Sequence, residues 1–407
     1  VSIDVVPGSD LTVNLLDGTF YAGDPVPTYR RLRDEAPLYW DARNQVWGVS
    51  RYDDVVSVEK NVDRYTSFKG SRPLIFSEES MINHDDPLHQ NKRRLVARRF
   101  TPRAVKQHED HVRGIVTELI DAVIARGGGE VVEDLAAPLP ATVICEMLGY
   151  PRSLAPKCKE WSEVTMLSGG QYALDGGSRA MSPASATAIQ EFAAATLEVL
   201  AARRSEPTDD LISVWAHSDV EYPDGSVRPM DEGEIIQEAL LVLDGGAETT
   251  RTVIGTMCLE LTRHEDQWQQ LRDDPRILGR TGVEEFIRWV SPILNMKRTA
   301  TEDHEFHGQQ VHDGDELVLM YSSANRDERV FPDPDVFDVN REHNHHVAFG
   351  FGSHFCLGAS LARLEIRVMF EELLNRIPRW QLAPGAEPKK VPSAFACAYD
   401  AVPIEVC

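Results

Sequence analysis

Cys356 lies in the segment Phe349-Gly350-Phe351-Gly352-Ser353-His354-Phe355-Cys356-Leu357-Gly358, which runs straight into the helical pattern Ala359-Ser360-Leu361-Ala362-Arg363-Leu364-Glu365-Ile366. Glycines placed around a single thiol, just ahead of a helix, leave few backbone paths, and the segment reads as a loop that presents a thiolate to a metal. Glycine permits close backbone approach, so Gly352 can turn the chain sharply toward the sulfur. Gly358 leaves room where the next helix begins, and the amide dipoles of that helix face the anion. Phe349 adds an apolar wall that keeps the sulfur dry. The same segment also reads as a buried structural cysteine in a Gly-rich turn, the usual fate of a lone thiol.

The composition bounds what can surround this loop. With 407 residues, 42% hydrophobic content and no long linker, the chain is expected to form a single domain over residues 1–407 with a substantial core. The run Val1-Ser2-Ile3-Asp4-Val5-Val6-Pro7-Gly8 has neither the organisation of a signal peptide nor the length of a membrane span, so a cytoplasmic protein without a membrane span is expected. Cys145, Cys158, Cys258, Cys397 and Cys407 show no C-x-x-C pairing and are most simply packing residues. A net charge of −23 argues against nucleic acid as a general partner, because like charges repel. One stretch runs against that background: between Pro87 and His108 there is no acid, yet Lys92, Arg93, Arg94, Arg98, Arg99, Arg103 and Lys106 all occur. Such an island is either a solvated helix face or the footprint of an acidic docking partner.

Most of the chain reads helical. Apolar residues recur at helical spacing over 102–126, closed by Gly127-Gly128-Gly129, and again over 139–149 before Pro151. Residues 168–187 are rich in small residues and read as a mobile connector. A long helix is expected over 231–263, with Asp231 or Glu232 at its positive end, and another over 283–291, stopped by Pro292. Strand alternation is expected at 295–320, with turns at His307-Gly308 and Asp313-Gly314-Asp315, and a strand-rich segment at 391–406.

Inside the long helix lies Gly245-Gly246-Ala247-Glu248-Thr249-Thr250. Two adjacent glycines cost about 1 kcal/mol each relative to alanine, so something should offset them. They would let the helix bulge and open a groove beside a flat ligand, with Glu248 and Thr249 as a carboxylate and hydroxyl able to relay protons. The segment also reads as a kinked core helix with a satisfied threonine. Asp244 and Glu248 stand four apart on one face and repel if both are ionised and dry, so one should be protonated, solvated or paired.

The pattern Phe-x-x-Gly-x-x-x-Cys-x-Gly resembles the haem-ligand loop of the cytochrome P450 family, with Cys356 as the iron ligand. In that family a thiolate pushes electron density that favours O–O cleavage. The resemblance extends from about residue 20 to the end. It implies a mainly α fold with a small β portion, the triangular prism built around one haem b. It makes 231–263 the oxygen-binding helix, with Gly245 and Ala247 beside the cofactor and Glu248 and Thr249 as the catalytic pair acting on O2. Phe349, Gly352, Cys356 and Gly358 (the loop 349–358) then surround the haem, and 168–187 becomes a lid over the substrate entrance. His89 and Arg93, four apart on one helix face, match the family's contacts to the haem propionates, as do Arg298 and His354. Glu285-x-x-Arg288 with Arg341 matches its buried ion-pair network beneath the haem.

No Gly-x-Gly-x-x-Gly follows a strand and no reductase is fused, so electrons are expected from NAD(P)H indirectly, through a ferredoxin reductase and a ferredoxin. The family's ferredoxins dock on the thiolate face, which points to Arg94, Arg98, Arg99 and Arg103. By analogy the substrate pocket takes in Ile75 and Met81 from the loop 70–82, Leu241 and Asp244 from the long helix, Leu294, and Phe395. These residues are mainly apolar and suit a lipid, steroid or terpenoid. Asp244 stands where a hydrophobic residue is common in the family and is expected to contact a polar group of the substrate or a water chain. In Asp134-Leu135-Ala136-Ala137-Pro138-Leu139-Pro140 and His346-Val347-Ala348-Phe349 the chain looks similar to actinobacterial members that oxidise sterol side chains and branched lipids. Three functions follow from the resemblance: an O2-dependent monooxygenase, favoured by Glu248-Thr249; a peroxide-driven oxidase; and a non-catalytic haem sensor or carrier.

Overall fold

The computed structural model describes residues 11–73, 79–168 and 182–407. The long helix Glu232–Arg263 runs through the middle of the main hydrophobic core. It starts where the sequence demands: the Asp231 carboxylate accepts from the Glu234 amide, and the Glu234 side chain accepts from the Asp231 amide. Around it pack the helices Pro138–Leu148, Ala155–Glu163, Pro183–Ser205, Val283–Val290 and Ala359–Arg376. The helix Leu88–Ala97 stands beside the cysteine loop: Gln90 donates to Ser353 Oγ, and Arg93 donates to the Phe355 carbonyl at 2.6 Å.

The glycine pair does not break the long helix, which stays helical through both residues. Each glycine answers a different neighbour. A Cβ on Gly246 would come within 2.8 Å of Ile144, so that glycine lets the helix Pro138–Leu148 approach closely, whereas a Cβ on Gly245 would meet nothing within 4 Å.

The main sheet has five strands in the order Leu38–Asp41, Val46–Val49, Glu316–Met320, Asn295–Ala300 and Tyr65–Thr66. Its one parallel pair joins Val46–Val49 to Glu316–Met320. Strand alternation over 295–320 is observed, with Gly308 and Gly314 turning at positive φ of 71° and 91°. Three sequence expectations are corrected. The stripe 102–126 is two helices, Pro102–Lys106 and Glu109–Arg126. The segment 391–406 forms a strand only at Pro403–Val406, otherwise making isolated bridges. Of the connector 168–187, residues 183–187 are the first turn of a helix capped by Ser182, and 169–181 lie outside the described residues. No helix among the described residues is long and apolar enough to cross a membrane.

Candidate active site around Cys356

The cysteine loop is shaped by two left-handed glycines, Gly350 (φ 68°) and Gly352 (φ 71°). A Cβ on Gly352 would strike the Glu59 carbonyl at 2.8 Å, so any side chain there is excluded by backbone as well as by φ. Gly352 therefore packs the loop against the helix Tyr52–Lys60 and does not line the cavity, while Gly350 does. The Cys356 amide donates to the Phe349 carbonyl at 2.9 Å and closes the loop. Burial pushes the Cys356 thiol up, and the backbone N–H groups of Gly358 and Ala359, aimed at the sulfur, pull it back toward the thiolate with Arg93 and Arg363. Phe349 lines the cavity beside the sulfur, its ring covered by the Arg363 guanidinium at 4.6 Å.

Cys356 opens on a cavity of about 1480 Å³, counting its mouth. His89, Arg93, Arg298 and His354 gather at one end. His89 and His354 stack with ring centroids 4.0 Å apart, and His89 pairs with Asp86 at 3.0 Å. Burial, with Arg298, His89 and Arg93 close by, drives the His354 imidazole far below its usual range, so it stays neutral there. Sequence reasoning missed Glu59, which joins this end: it meets Arg298 at 3.2 Å and accepts from Tyr321, while burial pushes its carboxyl up.

The long helix turns Gly245, Gly246, Thr249, Thr250 and Val253 to the cavity. Ala247 and Glu248 fall on the other side, since residues two or three positions from Gly245 stand about 200–300° around the axis. Ala247 packs in the main core and does not touch the cofactor space. Glu248 is buried against Arg251 at 2.7 Å, and burial pushes its carboxyl up to about 7 despite that guanidinium. The Thr249 hydroxyl donates to the Gly245 carbonyl at 2.9 Å. Glu365, also missed, lines the cavity beneath the helix; burial pushes it up to about 8, with a hydrogen bond from Thr250 opposing. Its signal was available, a carboxylate on the face of the helix Ala359–Arg376 that otherwise presents Leu361, Ala362 and Ile366.

Met81, Leu241 and Phe395 line the apolar part of the cavity. Leu294 does not: its neighbour Ile293 faces in, and Leu294 joins a separate cluster with Val318 and Met320, because adjacent residues of extended chain point to opposite sides. Ile75 lies outside the described residues. Asp244 does not line the cavity either. It is buried, accepts from the Thr165 hydroxyl at 2.7 Å and faces Arg72 at 4.0 Å, so both members of the expected repulsive pair have their own arginine. Burial pushes Asp244 up to about 7, against Arg72 and Thr165. The folded chain thus holds a proton that the unfolded chain releases above the ordinary carboxylate range, so this contribution to stability is complete below about pH 4 and lost as pH rises through about 7. Asp244→Asn is therefore expected to gain thermal stability over wild type progressively from about pH 4 to 7. Calorimetry across that range checks it, and a gap independent of pH counts against it.

Glu285, Arg288 and Arg341 come together. Arg288 pairs with Glu285 at 2.7 Å, both fully buried, and the half-buried Arg341 reaches the same carboxylate at 3.2 Å. The basic island is divided by the fold. Lys92 points inward to Glu238 at 3.3 Å, Arg93 faces the cavity, and Arg99 pairs with Asp209, leaving Arg94, Arg98, Arg103 and Lys106 exposed.

The donor set fits one group. A sulfur supported by amides, open space at Gly245 and Gly358 where a flat ring can lie, and two arginines with two imidazoles at one end suit haem b with its two propionates. The comparisons agree. A sequence model described as Cytochrome P450 matches residues 179–407. The chain is 40% identical over 393 residues to a steroid C26-monooxygenase of Mycolicibacterium smegmatis, covering 96% of this chain and 95% of that protein. It is 34% identical over 428 residues to a methyl-branched lipid omega-hydroxylase of Mycobacterium tuberculosis, covering 98% and 95%. Among solved structures, a Mycobacterium marinum cytochrome P450 in complex with pseudoionone matches with TM-score 0.88 at 29% identity over 100% of both chains. A Bacillus megaterium structure in complex with testosterone matches with TM-score 0.83 at 30% identity, covering 95% and 98%. Likeness over nearly the whole length, set beside a cavity that ends on this cysteine, makes the chain a member of the cytochrome P450 family, a monooxygenase that carries haem b and uses O2.

Proposed function

We propose that the chain hydroxylates a steroid or a methyl-branched lipid, with electrons from a ferredoxin that docks at the exposed Arg94, Arg98 and Arg103, beside Arg99. The observation that carries the substrate class is the apolar wall formed by Met81, Ile82, Leu241, Val242, Ile293 and Phe395 in the cavity that Cys356 lines. Such a wall excludes water and gains about 25 cal/mol per Å² of apolar surface covered. The names of the relatives, a steroid and a methyl-branched lipid enzyme, support the same reading.

Bound haem b supplies an iron, ligated by Cys356, at which O2 is activated. In this reading His89, Arg93, Arg298 and His354 hold the propionates, and Gly245 and Gly358 keep the ring space free. The Thr249 hydroxyl holds a proton at the cavity surface. Glu248, split between its two protonation states near neutral pH, resupplies that hydroxyl from the buried side. Because Glu248 sits against Arg251, the carboxyl must leave the guanidinium to reach Thr249. Glu248→Gln is expected to lower kcat about 100-fold, the scale of general acid catalysis, with KM little changed. Thr249→Ala is expected to raise hydrogen peroxide release per NAD(P)H consumed. Reconstitution with ferredoxin and its reductase on steroid and branched-lipid substrates tests the whole reading. Peroxide-supported turnover exceeding ferredoxin-supported turnover would favour the peroxide-driven alternative.

A further inference from the structure

Glu59 brings a carboxyl to the end of the cavity where the arginines and histidines gather. It belongs to the last turn of the helix Tyr52–Lys60, and its side chain is 1% exposed. One oxygen is occupied: Oε1 faces Arg298 at 3.2 Å and accepts from the Tyr321 hydroxyl. The other is not. Oε2 is buried with no hydrogen-bond partner among the described residues, although the Phe351 amide lies near the carboxyl and favours its charged form.

Haem b adds two carboxylates to this end, and the charges there can be counted. Arg93 and Arg298 bring two positive charges. The imidazoles bring none, because burial lowers both His89 and His354 and leaves them neutral above their ordinary range. Asp86, which pairs with His89, is exposed to solvent and stands outside the count. An ionised Glu59 would therefore set three buried anions against two cations. Like charges sharing a dry site do not all ionise, and the group that keeps a proton is the one that burial most disfavours as an anion. Burial raises Glu59 despite Arg298, Tyr321 and the Phe351 amide. No other group facing it titrates in the same range: the Tyr321 hydroxyl is pushed far up by burial, the arginines stay charged, and Lys60 turns away over the Phe351 ring at 4.8 Å.

We propose that Glu59 is a cofactor-positioning residue, which keeps a proton on Oε2 and donates a hydrogen bond from it to a haem carboxylate, while Arg298 and Tyr321 hold Oε1. The inference rests on the propionate placement given above and is independent of the substrate class. It makes haem binding take up one proton wherever Glu59 of the haem-free protein is ionised. Haem is then held tightly at lower pH and more loosely as pH rises, by at most about tenfold per pH unit for one proton.

The test is the rate at which the haem-loaded protein gives up haem to excess apomyoglobin. For wild type that rate is expected to rise about tenfold or more between about pH 6 and 9. Glu59→Gln, whose amide donates from the same place at every pH, is expected to vary less than about twofold over that range and to keep haem longer than wild type at its alkaline end. A wild-type rate that does not rise with pH overturns the inference. So does a Glu59→Gln variant that rises in parallel with wild type, loses haem faster at every pH or fails to take it up, since each outcome means that the negative charge is what the site needs. Arg298→Met separates the two levels of the argument: haem loss no faster than wild type shows the propionates to lie elsewhere, and the inference falls with their placement, whereas faster loss leaves that placement standing whatever Glu59→Gln does.

Discussion

Cys356→Ala is expected to reduce turnover to background and to remove the thiolate signature from the carbon monoxide difference spectrum. The sulfur sits where the loop geometry, the Gly358 and Ala359 amides and the Arg93 and Arg363 guanidinium groups all favour an anion. No second cysteine among the described residues lines the cavity: Cys145, Cys158 and Cys258 are buried in the core, and neither Cys397 nor Cys407 reaches it. Cys356→Ser is the sharper control, because a hydroxyl keeps the amide contacts but cannot donate electron density as a thiolate does. Haem content separates the two ways of losing function. If either variant keeps both the thiolate signature and its turnover, the assignment of the metal ligand is wrong.

Glu285→Ala is expected to destabilise the fold by about 3–5 kcal/mol, the scale for stranding a buried charge. The carboxylate is fully buried and pairs with two arginines, and it also accepts from the Asp338 amide at 3.0 Å and from Asn344 at 3.1 Å. Its removal leaves Arg288 buried on the carbonyls of Asn325 and Pro334 and loosens the segment 334–344 that leads to the cysteine loop. Haem uptake should fall with stability. Glu285→Gln keeps the shape and part of the hydrogen bonding, so a smaller loss is expected, and a double replacement, Glu285→Met with Arg288→Leu, should recover much of the deficit. Denaturant unfolding with haem quantified in parallel is the measurement; an Ala variant within about 1 kcal/mol of wild type contradicts the network's structural role.

The cysteine loop and the capped start of the long helix were legible because each depends on short-range rules, whereas the Glu285, Arg288 and Arg341 constellation was legible only through the family resemblance. Glu248 shows where that legibility ends. Its identity and position could be read from the chain, but its side chain faces Arg251 and not the cavity. Leu294 and Ile293 differ in the same way, by one residue of strand phase. Gly246 reads as a groove former, yet it serves the approach of Ile144, a hundred residues away in the chain.

From residue types and spacing alone follow the glycine-shaped loop around Cys356, the helix that begins after it and the mainly helical class, because glycine φ freedom, capping and helical period act within a few positions, whereas the cationic residues for an anionic cofactor came from the family resemblance. Only the tertiary structure decides that Arg72, Glu59 and Glu365 share the cavity, that Lys92 turns inward to Glu238, and that Glu248 and Asp244 face different arginines. Those outcomes depend on how helices rotate to bury their apolar faces and on which distant charge arrives to offset desolvation, and neither is encoded in the neighbours along the chain.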